Sequence, residues 1–198
     1  MHGGTINTYI KNTNAFIMPE SEVKDIRNSV EESRSFLKKI ELVVPGFAGY
    51  REKEDIRTAS ELLRKQMGSI LENALNNLKN ARQCLVNCSK VGELNRIAMT
   101  ISNIETFRNL ILNAEEGYSG IAPTIKVNDS ILYRLYEYDY GFVTSVKALE
   151  TKSLSLDVVC DMNDNQIVEL LSDLDTMVNS AKKNWQSRIE TVEFIKVS

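Results

Sequence analysis

The sequence contains one histidine, three cysteines, three prolines and one tryptophan among its 198 residues. A single histidine excludes Ser-His-Asp triads and the paired Glu-x-x-His ligands of di-iron bundles. The cysteines include no Cys-x-x-Cys pair, and their odd number suits a reducing compartment rather than a disulfide framework. There is no Gly-x-x-x-x-Gly-Lys-Ser/Thr loop and no Gly-x-Gly-x-x-Gly fingerprint. We therefore expect no metal and no cofactor, and the sequence leans away from an enzyme without deciding the question.

The sequence also has no large excess of positive or negative charge. Lys and Arg number 24 against 27 Asp and Glu, for a net charge of −3. Nucleic-acid binding requires a clustered basic surface, so we expect no nucleic-acid partner. No apolar run approaches the roughly 20 residues that span a bilayer, which predicts no integral membrane segment. The N-terminus lacks a basic segment followed by an apolar core, so we expect no signal peptide and a cytoplasmic location.

Apolar residues recur at spacings of three and four in five segments, which predicts five helices. The first covers about 20–44, the second about 51–89, the third about 93–114 and the last about 165–192. The fourth begins at one of the N-cap residues Asn128, Asp129 or Ser130 and carries its apolar positions to Leu149. Residues 153–163 alternate only briefly; we interpret them as a connector and leave helix, strand and loop open.

These patterns predict an all-α, elongated antiparallel helical bundle of about five helices. The second helix alone would be about 55 Å long. Its apolar face is wide enough to pack against more than one partner helix, and the strict apolar seam of the first helix is typical of a bundle or coiled coil. Residues 1–19 show no helical period and are predicted to be a flexible N-terminal arm. Residues 20–198 are predicted to form a single domain.

The most specific pattern lies between the first two helices. It runs Val-Pro-Gly-Phe-x-Gly-Tyr-Arg-x-Lys-Glu-x-x-Arg-x-Ala-x-x-Leu-Leu-Arg over residues 44–64. A second block has Gly-Tyr-Ser-Gly at 117–120, Ile-Lys-Val at 125–127, Leu-Tyr at 132–133 and Leu-Tyr-Glu-Tyr-Asp at 135–139. Together the blocks resemble a helical family of uncharacterised bacterial and archaeal proteins with a Pro-Gly-aromatic-x-Gly-Tyr turn before a helix with repeated arginines. The resemblance covers about residues 44 to 150 and implies a bundle and a site, but no activity. This chain departs from the pattern at Ser60, where an acidic residue is expected.

Asp139 stands at a core position of the fourth helix, where an unpaired carboxylate is costly. One interpretation is a salt bridge to Arg57 or Arg64 of the second helix, which would fix the helix register. The other is a carboxylate that faces a small polar pocket. In that case a ligand site near the 45–57 turn would bring together seven residues: Tyr50, Arg51, Arg57, Arg64, Tyr118, Lys126 and Asp139.

Two further groups allow a structural and a functional interpretation. Tyr133, Tyr136 and Tyr140 form one stripe of the fourth helix, which is either core or an interface with a partner. Cys84 and Cys88 lie one turn apart; a metal site would need two more ligands, so we interpret them as small buried hydrophobic residues.

The basic residues at the start of the second helix can hold an anion. Neighbouring acids cancel that charge, which favours a solvated capping region.

We therefore expect a non-enzymatic interaction or scaffold protein with protein partners, which self-associates as a homo-oligomer. The alternatives are a small-molecule or anion-binding bundle, enzymatic or not, with its polar site near the 45–57 turn, and a peripheral membrane-stress partner that lies on lipid.

Overall fold

The computed structural model describes the backbone of residues 20–49, 53–114 and 129–197, and the side chains of 31–49, 58–114 and 132–190. Over these ranges the backbone forms five α-helices and no strand, which confirms the all-α bundle. The helices are α1 (Glu20–Glu41), α2 (Lys53–Asn87), α3 (Leu94–Leu112), α4 (Asp129–Ser153) and α5 (Asp164–Val197). The arm predicted for residues 1–19 lies outside the described residues, and the assignment of 20–198 to one domain stays a prediction.

The apolar seams expected from the sequence form the core. Each helix buries the side chains that recur every three or four residues, because this spacing places them on one face. Fully buried examples are Ile40, Leu63, Phe107, Val146 and Leu174.

Neighbouring helices pack in a square in the order α2, α3, α5, α4, with α1 along the outside of α4. Helices α2 and α3 are antiparallel, because Glu72 pairs with Arg108 and the later Lys79 pairs with the earlier Glu105. Helices α4 and α5 are also antiparallel. Helix α2 runs parallel to α4, since Asn73 bonds Glu150 and Asn77 bonds Ser153. With 35 and 34 residues, α2 and α5 are each about 50 Å long, so the bundle is elongated.

Helix α2 ends at Asn87, two residues before the end expected near Ser89. Ser89 adopts the left-handed conformation, with φ of 62°. The amide of Lys90 bonds the carbonyl of Leu85 at 2.9 Å, and the amide of Ser89 bonds Val86 at 3.2 Å. This is the hydrogen-bond pair of a Schellman motif, which is usually built on glycine. The sequence gives little warning of it, because serine rarely takes this conformation.

Residues 154–161, left open above, form a 3₁₀ segment (Leu154–Asp161) with a kink at Val158. Helix α5 then begins with a capping box. The side chain of Asn163 accepts a hydrogen bond from the Gln166 amide, and the Gln166 side chain accepts one from the Asn163 amide, both at 2.9 Å. Each terminal donor is thereby satisfied, which fixes the start of the helix one residue from the expected position.

Candidate functional site

Asp139 is fully buried, as its core position predicts, and the partner that the structure shows is Arg188 of α5. The Arg188 Nε donates to Asp139 Oδ1 at 2.5 Å, and Arg188 Nη2 donates to Ser60 Oγ at 2.7 Å. Three helices are therefore joined by one guanidinium: α2 through Ser60, α4 through Asp139 and α5 through Arg188. The expected partner was an arginine of α2, so this finding corrects the pairing with Arg64.

Arg64 instead donates to backbone carbonyls, those of Ala114 and Ser60. The side chain of Arg57 lies outside the described residues, as do Tyr50, Arg51, Tyr118 and Lys126. Of the seven residues of the expected ligand site, only Asp139 and Arg64 can thus be placed, and both make contacts within the protein.

The environment of Asp139 favours its neutral form. Desolvation by burial raises the pKa of Asp139 to about 6, and the charge and hydrogen bond of Arg188 only partly oppose this. The Arg188 guanidinium also lies over the ring of Trp185, 5.3 Å from its centroid. Trp185 is buried against Phe142, with ring centroids 5.1 Å apart. The cluster is therefore an enclosed polar centre lined by aromatic rings.

Arg188 was missed because the seam of α5 can be drawn through Trp185 and Ile189. An alternative row of buried positions, with a spacing of three after Trp185, passes through Arg188 and would have placed its guanidinium in the core. Ser60 is the residue of α2 that accepts the hydrogen bond from Arg188.

Helix α1 covers the tyrosine stripe of α4. Tyr136 is buried, while the rings of Tyr133 and Tyr140 lie 5.9 and 5.3 Å from Phe36 of α1. The hydroxyl of Tyr133 donates to Glu32 at 2.9 Å, and this hydrogen bond raises the pKa of Tyr133. Within the chain the stripe is thus a helix–helix contact. An intermolecular role for it stays a prediction, and it would require α1 to move away.

An open groove of about 660 Å³ begins where α1 ends. Its floor is a face of α4, and α1 covers the part of this face that is nearer the N-terminus of α4. The residues of α4 that line the groove recur at spacings of three and four. Leu42 and Val43, which follow α1, form its head, and Met177 of α5 forms one side. The lining residues on α4 are Tyr140, Val143, Thr144, Lys147, Ala148, Thr151 and Lys152. From Tyr140 to Lys152 the floor is about 18 Å long, or about three helical turns.

The rim of the groove is basic. Lys39, Lys147 and Lys152 line it, and the described lining residues include no Asp or Glu. The Lys39 ammonium lies 5.0 Å from the centroid of the Tyr140 ring, while Lys147 pairs with Glu150 and Lys152 with Asp173. Leu42 is 84% exposed at the head. The periodic pattern of the sequence does not reveal this groove, because the groove depends on where α1 stops.

The three cysteines come together although they are far apart in sequence. Cys84 lies in the last turn of α2 and Cys88 directly follows the helix. Cys160 reaches them from the 3₁₀ segment, and its thiol donates to the Cys84 carbonyl at 3.2 Å. Among the described residues, no three His, Cys, Asp or Glu side chains are placed to hold a metal ion.

None of the described helices is long and apolar enough to cross a membrane. No protein-family model, curated protein or solved structure matches this chain.

Proposed function

We propose that this chain is a non-enzymatic interaction protein that binds an acidic amphipathic helix of a partner protein in the groove along α4. The observation that carries the proposal is that the groove lies on the same face of α4 that α1 packs against, directly beyond the end of α1. Where α1 lies on α4, aromatic contacts cover the face. Beyond Glu41 the same face continues, and no described helix covers it.

The shape favours a helix over a small molecule. Small-molecule sites bury most of their ligand, whereas this groove is open along one side and about three turns long. A helix that docks there presents apolar residues at spacings of three and four. Val143, Ala148 and Met177 offer an apolar surface to such residues, and the exposed Leu42 adds one more contact.

The charge favours an acidic partner. Three lysines at the rim attract carboxylates that flank the apolar anchors and disfavour a basic helix. Their contribution is mainly to specificity and association rate, and it weakens with salt.

The test compares binding of two labelled peptides, each about four helical turns long. Both carry the same leucine face, one with flanking Glu and the other with flanking Lys. We expect the chain to bind the acidic peptide and to discriminate against the basic one. The variant K39Q/K147Q/K152Q should weaken acidic-peptide binding about tenfold, from three rim contacts of a few tenths of a kcal/mol each.

The matched control is K65Q/K79Q/K183Q, which removes the same charge from exposed lysines that do not line the groove. It should bind as the unaltered chain does. Equal binding of the two peptides, or equal losses in the two triple variants, would refute the proposal.

The proposed self-association has a separate test. Helix α2 packs against α3, α4 and the 3₁₀ segment of its own chain, so self-association does not follow from the length of α2 and is tested by itself. The prediction is a dimer or larger in multi-angle light scattering at high concentration. A monomeric mass would remove self-association from the proposal and leave the groove as the interaction surface.

A further inference from the structure

The three cysteines meet at one backbone carbonyl, that of Cys84. The oxygen of Cys84 accepts the amide of Cys88 at 2.9 Å, as in a regular helix, and it also accepts the thiol of Cys160 at 3.2 Å. The sulfur of Cys160 therefore lies beside the last turn of α2, next to Cys88. The Cys88 thiol donates to the neighbouring carbonyl of the same turn, that of Leu85, at 3.7 Å.

The two segments that carry these cysteines are held in place independently of the thiols. Lys90 follows the Schellman turn, and its Nζ donates to the carbonyls of Cys160, at 2.6 Å, and Met162. The end of α2 and the 3₁₀ segment are thus fixed against each other. All three cysteines are half-buried, so small solutes can reach them while a protein thiol from another molecule has less access.

The three cysteines differ in their surroundings. Cys84 and Cys160 pack against the hydrophobic core, while Cys88 is outside that set. The neighbouring Cys88 thiol, together with desolvation, raises the pKa of the Cys160 thiol to about 11. Since the thiolate is the nucleophile, Cys160 keeps its proton when an oxidant arrives and is not the thiol that attacks first.

We propose that Cys88 and Cys160 are a peroxide-modified pair that forms a reversible intramolecular disulfide. The Cys88 thiolate attacks one oxygen of hydrogen peroxide, and the O–O bond breaks. The hydroxide that leaves takes up a proton to become water, and Cys88 becomes a sulfenic acid. The Cys160 sulfur then attacks the Cys88 sulfur, the S–O bond breaks, and the hydroxyl leaves with the Cys160 proton as a second water. Two thiols and one peroxide give one disulfide and two waters.

This site does not depend on the groove. The disulfide would tie the end of α2 to the 3₁₀ segment, and a thiol reductant would reverse it. Transient disulfides of this kind are the type found in reducing compartments.

The test uses the reduced full-length chain, a small excess of hydrogen peroxide, alkylation of the remaining thiols and peptide mapping by mass spectrometry. We expect one linked peptide pair, Cys88 with Cys160, with Cys84 alkylated, and full reversal by dithiothreitol. C88S and C160S should each abolish the linkage. C88S should leave Cys160 largely unoxidised, whereas C160S should leave Cys88 as a sulfenic acid that dimedone traps.

C84S is the matched control, because it removes a thiol from the same turn and keeps the backbone carbonyl that accepts the Cys160 hydrogen bond. It should form the same disulfide at the same rate, and circular dichroism checks that each variant retains its helices. A disulfide that involves Cys84, a disulfide between two chains, or independent oxidation of all three thiols would overturn the assignment.

Discussion

Gly49, in the turn after α1, lies against the hydroxyl of Tyr136 on α4. A β-carbon built on Gly49 would be 2.5 Å from the Tyr136 oxygen and 3.3 Å from Leu37. The backbone there has a φ of +85°, which side chains other than glycine rarely adopt. The glycine of the Pro-Gly-aromatic-x-Gly-Tyr motif therefore has two reasons to be glycine, and both are structural.

Gly49→Ala should destabilise the fold by about 2–4 kcal/mol, the sum of left-handed strain and overpacking. Gly46→Ala is the matched control, because Gly46 has a φ of +83° but no atom of the described residues lies within 4 Å of its built β-carbon. It should cost only the strain, about 1–2 kcal/mol. Urea denaturation measures both.

The difference between the two glycine variants should shrink in a Tyr136→Phe background, which removes the hydroxyl that the new methyl meets. Equal losses for the two glycines in the unaltered chain would show that Tyr136 does not restrict this turn.

Arg188→Met should cost about 3–5 kcal/mol in the free energy of unfolding, measured at pH 8, because it takes away the guanidinium that Asp139 binds. The double variant Asp139→Leu/Arg188→Met should lose much less, since no buried carboxylate is then left without this partner. Additive losses from Asp139→Leu and Arg188→Met would mean that the two side chains do not depend on each other.

Stability should depend on pH through Asp139. Its folded-state pKa of about 6 exceeds the ordinary value of 3.8, so the folded chain holds this proton more tightly than the unfolded chain does. The contribution is fully present below about pH 4 and is lost as the pH rises through about 6. Asp139→Asn cannot ionise, so its stability relative to the unaltered chain should rise from pH 4 to pH 7. Denaturation curves that stay parallel over this range would argue against a raised pKa.

The helical spacing of apolar residues correctly predicted which side chains are buried. Features that depend on where a helix ends were not predicted. The seams through Leu63, Phe107 and Val146 are buried as expected, because helical spacing alone decides which face turns inward. The core position of Asp139 was also correct for this reason. The alternative that Arg64 is its partner was wrong, because the choice among arginines depends on which helices are neighbours, and that is a property of the packing order.

The groove and the thiol pair were missed for related physical reasons. The groove exists because α1 stops at Glu41 while the same face of α4 continues. The contact of Cys160 with Cys84 and Cys88 depends on a 3₁₀ segment whose short apolar alternation did not identify its structure. Ser89 ends α2 in a conformation that its residue type does not suggest. No local pattern encodes these three features.

The most direct test of the proposed function is photo-crosslinking from the centre of the groove. Thr144 is exposed and lines it, so a photoreactive residue at this position lies within reach of a docked helix. Thr106, exposed on α3 and absent from the groove lining, is the control position. In the chain's own cells, position 144 should cross-link to a peptide with apolar residues three and four apart and an excess of Asp and Glu, and position 106 should not. A basic or non-helical peptide, a second copy of this chain, or the same products from both positions would contradict the account.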